Sequence, residues 1–206
     1  DIIMIIDHHP TSQYIDLELY FNKPISSTSL YLCKGNENLF NKDDITLAIL
    51  AAMLDTASFN STKAKEEDKN WCLKMCDKLN IDYNKLYESG LYFTPLDNLK
   101  ECSINGLKKY NYNGKLVESS YVHINNDKIN DNKINEIIDI LKDYVKEKEL
   151  DMFVFIVHDM SKLKTRIYKI TDKVSEVKYD RYTSRGNDIM PSIEKELLHS
   201  ARNNRN

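Results

Sequence analysis

Three stretches of the chain carry apolar residues almost without a polar break: residues 2–6, 45–54 and 152–157. The first and third are short and rich in β-branched and aromatic residues, the pattern of strands buried on both faces, as in the middle of a parallel sheet. The second is long enough for a helix that is apolar on nearly every side, which predicts a helix covering a sheet. Elsewhere the pattern is amphipathic. Residues 14–21 alternate apolar and polar, predicting a short edge strand. Ile134, Ile137, Ile138, Leu141, Tyr144 and Val145 follow helical spacing over 131–148. Trp71, Cys72, Met75, Cys76 and Leu79 do so over 65–79, with Thr62 or Asp68 as the cap, and a shorter helix follows over 83–91. Asn113-Gly114, between β-rich runs in 104–125, predicts a hairpin. Lys164–Ile170 and Val174–Tyr179 read as antiparallel partners of the last buried strand. Asn187-Asp188 then opens a final helix through Leu198, with Pro191 in its first turn.

Residues 57–65 lose this periodicity and gain Ser, Thr and Lys, the composition of an interdomain linker. The predicted fold class is α/β: a partial parallel-sheet domain over 1–60, a linker over 61–66, and a smaller α+β domain with a mixed sheet over 67–206. The chain begins inside a buried strand whose neighbours would lie elsewhere, which predicts the C-terminal part of a longer protein.

Composition narrows the function classes. A net charge of −3 with no long basic run gives no electrostatic case for nucleic acid. No apolar run reaches the ~18 residues that span a bilayer. The 4 cysteines form no CxxC pair, which fits a reducing, cytoplasmic setting better than a disulfide scaffold. Cys72 and Cys76, on one helix face, read as core packing.

The candidate chemistry sits where apolar runs end. Asp7-His8-His9 closes the first strand, and Pro10 stops it. Ligands in α/β sheets gather at such carboxyl ends, and this oxygen and nitrogen set suits Mn²⁺, Zn²⁺, Fe²⁺ or Co²⁺. Asp55 ends the apolar helix, where a buried carboxylate would call for a cation, unless it caps the next turn. Ser26-Ser27-Thr28 precedes Leu30 as a helix cap whose N–H groups could also hold a phosphate oxygen. His158-Asp159 at a strand end and His199 on the last helix read as structural and surface residues. His123–Asp127 is not a metal site by its pattern.

Taken in order, Ile5-Ile6-Asp7-His8-His9, Ser26-Ser27-Thr28 and Leu54-Asp55-Thr56 resemble the motifs of the DHH phosphoesterase superfamily. The nuclease branch carries a Gly-Gly segment; this chain has none among its 5 glycines. Tyr182-Thr183-Ser184-Arg185, followed by Pro191, is similar to the Ser-Arg-Lys segment of the other branch. That branch comprises manganese-dependent inorganic pyrophosphatases, exopolyphosphatases and prune-like proteins. Gly186 stands where that branch commonly has Lys, and its H-x-x-x-D-x-D motif and second Asp motif, which lie upstream of DHH, are not in this chain.

The resemblance implies a two-metal site in the intact protein, filled by Mn²⁺ or by Mg²⁺ or Co²⁺, with His8 and Asp55 as ligands of one metal. It implies that His9 contacts phosphate, that Asp7 orients an imidazole, and that Arg185 and Ser184 bind substrate; Lys63, by its place near the linker, reads as either a further substrate-binding cation or a solvated lysine. The expected function is phosphoanhydride hydrolysis: exopolyphosphatase acting on polyphosphate, with inorganic pyrophosphatase as the alternative. A prune-like interaction protein and a nucleotide phosphodiesterase are the remaining readings. With one half of one metal site, this chain alone should bind Mn²⁺ weakly and turn over negligibly. Titration calorimetry is expected to show no tight binding, and two tightly bound Mn²⁺ per chain would overturn this.

Overall fold

The computed structural model describes residues 4–7, 19–22, 26–125 and 131–203, which form two compact units, Asp1–Leu91 and Tyr92–Asn206. In the first, β1 (Ile5–Asp7) and β2 (Tyr20–Asn22) pair in parallel, Ile5 opposite Tyr20 and Asp7 opposite Asn22. β1 is half-buried rather than buried on both faces. Among the described residues β2 is its one ladder neighbour, and Met4, Leu19 and Phe21 stay exposed. The rest of the edge strand expected over 14–21 lies outside the described residues.

Helices α1 (Thr28–Cys33), α2 (Lys42–Asp55), α3 (Glu66–Lys78) and α4 (Tyr83–Gly90) complete this unit. Asn41 caps α2 through a capping box with Asp44, satisfying N–H groups that the first turn leaves unpaired. Leu30, Ile49, Met53, Cys72, Met75 and Cys76 form one core. Cys72 and Cys76 are therefore packing residues, as expected, and burial pushes the Cys72 thiol up to about 12.

Because α3 packs on α2, the division falls between Leu91 and Tyr92, not at residues 61–66. The stretch after α2 is a packed turn rather than a linker: Thr56, Ala57, Phe59 and Ser61 are buried. Ala57, Ser58 and Phe59 all take left-handed conformations, with φ of 50°, 53° and 62°, each a cost for a side-chain-bearing residue. Backbone bonds from Ser58 to Met53 (2.6 Å) and from Ser61 to Thr56 (2.9 Å) hold the turn closed.

Neither expected residue caps α3; Lys65 occupies that position without a side-chain bond. Asp68 instead turns back toward α1, accepting from Ser26 N (3.1 Å), Ser26 Oγ (2.8 Å) and Lys34 Nζ (2.9 Å). Ser27 caps α1, as expected, by accepting from Leu30 N. Ser26 and Ser27 are buried, so this helix start does not present open donors for a phosphate.

The second unit is the longer of the two. Its sheet has the order β3-β4-β5-β6-β7, from β3 (Lys108–Tyr112), β4 (Lys115–Ile124), β5 (Met152–Asp159), β6 (Lys164–Ile170) and β7 (Val174–Tyr179). Asn113 and Gly114 close the β3–β4 hairpin, both at positive φ. The pair β4–β5 is parallel and the others antiparallel, a mixed sheet as expected. A parallel pair needs a crossover, supplied by α6 (Asp131–Glu147). All of β5 is buried. Phe153, Phe155 and Val157 meet Ile137 and Leu141 of α6, while Val154 and Ile156 face the cluster of Met190 and Ile193. A short helix α5 (Leu99–Ser103), which the sequence pattern does not announce, adds Cys102 to the α6 side.

The last helix begins earlier than expected. Ser184 caps a π-turn over Arg185–Ile189, which runs into α7 (Met190–Asn203). Pro191 sits at the second residue of α7, where its missing N–H is tolerated.

Burial pushes the Asp68 carboxyl up, but hydrogen bonds from Lys34 and Ser26 outweigh it and hold the group below the usual range. Its stabilisation is therefore complete above the unfolded carboxylate pKa near ~4 and fades as pH falls through the lower folded value. Asp68→Ala leaves the Ser26 donors buried without an acceptor. Urea unfolding at neutral pH should show a loss of about 2–3 kcal/mol.

Candidate functional site

His8 and His9 lie outside the described residues. The remaining expected groups divide between the two units. Asp7 ends β1, half-buried, with its backbone paired to Asn22. Asp55 ends α2 and is exposed, so the expected burial of this carboxylate does not hold. The following residue turns inward instead: Thr56 Oγ1 donates to Ala52 O (2.6 Å) and accepts from Phe59 N (3.0 Å). The apolar helix end is thus closed by a hydroxyl rather than by the Asp55 carboxylate. Lys63 is half-buried in the turn before α3. Among the described residues, no three His, Cys, Asp or Glu side chains gather as a metal cage.

The second unit holds Ser184 and Arg185 in a tied turn. Ser184 N donates to Asp188 Oδ2 (2.9 Å), and both Asp188 N and Ile189 N return to Ser184 O at 3.0 Å. The bond to Ile189 spans five residues, which is the π-turn, a distortion often found at functional sites. This turn fixes the backbone from which Arg185 projects. The Arg185 guanidinium lies 5.0 Å from the Tyr121 ring centre and donates from Nη1 to Gly106 O (2.5 Å). Stacking on an aromatic face suits this planar cation. Gly106, at φ +60°, lies so close under that ring that a Cβ would come 2.4 Å from Tyr121.

Around this arginine sits a group of rings that the sequence pattern does not bring together. His158 stacks on Tyr182 with centroids 4.6 Å apart, and His123 lies 5.4 Å from His158 and 5.0 Å from Tyr121. Thr165 Oγ1 accepts from Thr183 N (3.0 Å) and sits 3.2 Å from His158 Nδ1. Both histidines and Tyr121 share one face of their strands, at alternate positions or opposite one another in register. Burial drives His123 down to about 4, and burial, then His123 and Arg185, drive His158 down to about 3. His158 is therefore neutral at physiological pH and serves as a structural ring, as its position suggests. Gly186 next to Arg185 is exposed, and a Cβ there meets nothing within 4 Å.

A group whose folded pKa is depressed in the base form loses stability as pH falls from its unfolded value. For His158 the window runs from about 6.5 down to about 3. Each pH unit in it costs about 1.4 kcal/mol per histidine. His158→Phe is expected to flatten the fall in thermal stability between pH 6.5 and pH 4.5, read by circular dichroism.

No protein-family model matches the chain. The chain is 26% identical over 182 residues to the manganese-dependent inorganic pyrophosphatase of Methanocaldococcus jannaschii, covering 78% of this chain and 58% of that protein. It is 26% identical over 166 residues to a probable manganese-dependent inorganic pyrophosphatase of Listeria welshimeri, covering 76% of this chain and 53% of that protein. The chain thus spans about half the length of the curated relatives it matches. Its fold matches a crystal structure of a putative family II inorganic pyrophosphatase from Methanococcus jannaschii with a TM-score of 0.71 and 21% identity, over 94% of this chain and 72% of that one. The resemblance read from Asp7-His8-His9, Asp55 and Ser184-Arg185 is therefore shown by comparison: this is an α/β chain similar to manganese-dependent inorganic pyrophosphatases.

Proposed function

We propose that this chain forms part of a metal-dependent phosphoanhydride hydrolase acting on inorganic pyrophosphate. The observation that carries the reading is the Ser184–Asp188 turn, which presents the guanidinium of Arg185 at the start of a helix. A planar fork of N–H donors matches phosphate oxygens in a way that lysine cannot. The helix start adds the favourable end of its dipole. Arg185 would grip the outer phosphate, and Ser184 would keep the turn in place. Lys63 is the remaining cation that we assign to substrate binding.

The donor set is of the right chemistry for manganese: imidazole nitrogens directly after β1 and a solvent-facing carboxylate at the end of α2. His8 and Asp55 would hold one Mn²⁺, with Mg²⁺ or Co²⁺ as substitutes. When bound, two such metals supply a nucleophilic water at neutral pH and neutralise charge on the phosphoryl oxygens. His9 would hold a proton close to the phosphate, and Asp7 would orient a ligating imidazole from its other nitrogen.

The names of both curated relatives favour pyrophosphate. Gly186 favours the second reading, polyphosphate: pyrophosphate has only two phosphoryl groups, so the loss of one cation weakens the hold on it more. The decisive assay is Mn²⁺-dependent phosphate release from pyrophosphate and from polyphosphate by the protein that carries this sequence. Arg185→Lys should lower kcat/KM at least tenfold for the true substrate, and an unchanged value would remove Arg185 from the site. Because there is open space at Gly186, Gly186→Lys should fold normally. It is expected to raise kcat/KM for pyrophosphate relative to polyphosphate about tenfold, the ~1.4 kcal/mol of one added charge-assisted contact.

A further inference from the structure

Arg185 is held by groups 79 and fewer positions away in sequence, on a support that is itself tied together. The turn Asn105-Gly106, between α5 and β3, is fastened to Tyr121 of β4 by two hydrogen bonds. Tyr121 N donates to Asn105 O (3.1 Å), and Asn105 Nδ2 donates to Tyr121 O (2.9 Å). One residue earlier on β4, Ser120 Oγ donates to Ser103 O (2.6 Å), which ties the end of α5 to the same strand. Gly106 O and the Tyr121 ring are therefore fixed relative to each other. The guanidinium uses both, donating from Nη1 to the carbonyl and lying over the ring.

Both of these partners are uncharged. Among the described residues no carboxylate forms an ion pair with Arg185. Arg166, on the α6 face of the same sheet, is the contrast: it pairs with Asp131 Oδ1 at 2.9 Å, and its Nη2 is buried without a partner. A carboxylate beside Arg185 would neutralise the cation and compete with an incoming anion. A carbonyl and a ring face orient it and leave its charge whole. The engaged atom is Nη1, and no hydrogen bond among the described residues uses the edge formed by Nε and Nη2. Arg185 is half-buried and neither of those nitrogens is sealed off. That edge can take two phosphate oxygens side by side. A long side chain loses rotamer freedom when it grips a ligand, and one already held in place loses less of it on binding.

We propose that Asn105 and Tyr121 are positioning residues for the phosphate contact of Arg185. Tyr121 supplies the ring face, and Asn105 holds the Gly106 carbonyl beside it, so the guanidinium keeps its binding orientation in the free protein. Both act on substrate affinity through Arg185. This rests on the reading of Arg185 as a phosphate-binding residue and adds what holds that residue ready.

Steady-state kinetics of Mn²⁺-dependent phosphate release by the protein that carries this sequence tests the proposal, with pyrophosphate and polyphosphate as substrates. Tyr121→Leu should raise KM about tenfold with kcat within about twofold, because a grip shared by ground and transition states acts on KM. A merely structural role would do the reverse, since less folded protein lowers apparent kcat and leaves KM in place. Tyr121→Phe keeps the ring face and should return KM to within about twofold of the unaltered value. In an Arg185→Ala background, the effect of Tyr121→Leu on KM should vanish, as expected of a residue that acts through another. Asn105→Ala should raise KM several-fold. Asn105 is half-buried in a turn, so this variant decides the matter if Tyr121→Leu does not fold. Suppose Arg185→Ala raises KM while the Tyr121 and Asn105 variants do not, or Tyr121→Phe does no better than Tyr121→Leu. Either result overturns the proposal and leaves Arg185 in the site, as does a Tyr121→Leu effect that persists without Arg185. If Arg185→Ala leaves KM unchanged, or no phosphate is released, the reading of Arg185 fails and the proposal falls with it.

Discussion

The burial of β5 on both faces is the constraint on which the second unit depends. A strand with no solvent face cannot sit at the edge of a sheet or on its surface, so it needs ladder partners on both sides and a layer over each face. β4 and β6 supply the partners. Because β4 runs parallel to β5, the chain must cross over between them, and that crossover is α6, which becomes one layer. The other layer is the helix that Ser184 starts. The position of the phosphate-binding candidate thus follows from the need to cover Val154 and Ile156.

Alternation along the strands then separates two kinds of arginine. Arg166 lies opposite Val157 and belongs to the α6 face, while His158 and its partner Thr165 belong to the face of Tyr121 and Tyr182. A one-residue change in register would exchange these faces and move every ring and charge to the wrong layer. The neutral histidines are a consequence of the same packing. A ring enclosed by Tyr182, His123 and Tyr121 near a guanidinium cannot accept a proton without losing solvation it has no means to replace.

In the first unit the corresponding role falls to Asp68. Its carboxylate joins α3 to the residues before α1, and through them α3 becomes part of the same core as α2. This is why a stretch of Ser, Thr and Lys that resembles a linker is instead a closed turn. Its strained residues are held by Thr56, Met53 and the buried Phe59 ring, not by their own preferences. The strain begins two residues after Asp55, beside the helix end that carries the candidate metal ligand.

Much of this was legible from the chain alone. Periodicity places α2, α3, α6, the Asn113-Gly114 hairpin and the antiparallel β5–β6–β7 ladder, because each depends on spacing within a few residues. Motif order and residue type carry the resemblance to the pyrophosphatase branch, and they make Asp55, Ser184 and Arg185 candidates. What sequence could not supply is long-range. That Asp68 serves Ser26, 42 positions away, rather than its own helix start has no local signature. Neither does the exposure of Asp55, the dock of Arg185 on Tyr121 and Gly106, nor the unmatched nitrogen of Arg166. Spacing along the chain is set by backbone geometry and can be read from order alone. Burial, partnership and charge balance depend on which distant segments meet, and only the tertiary structure decides that.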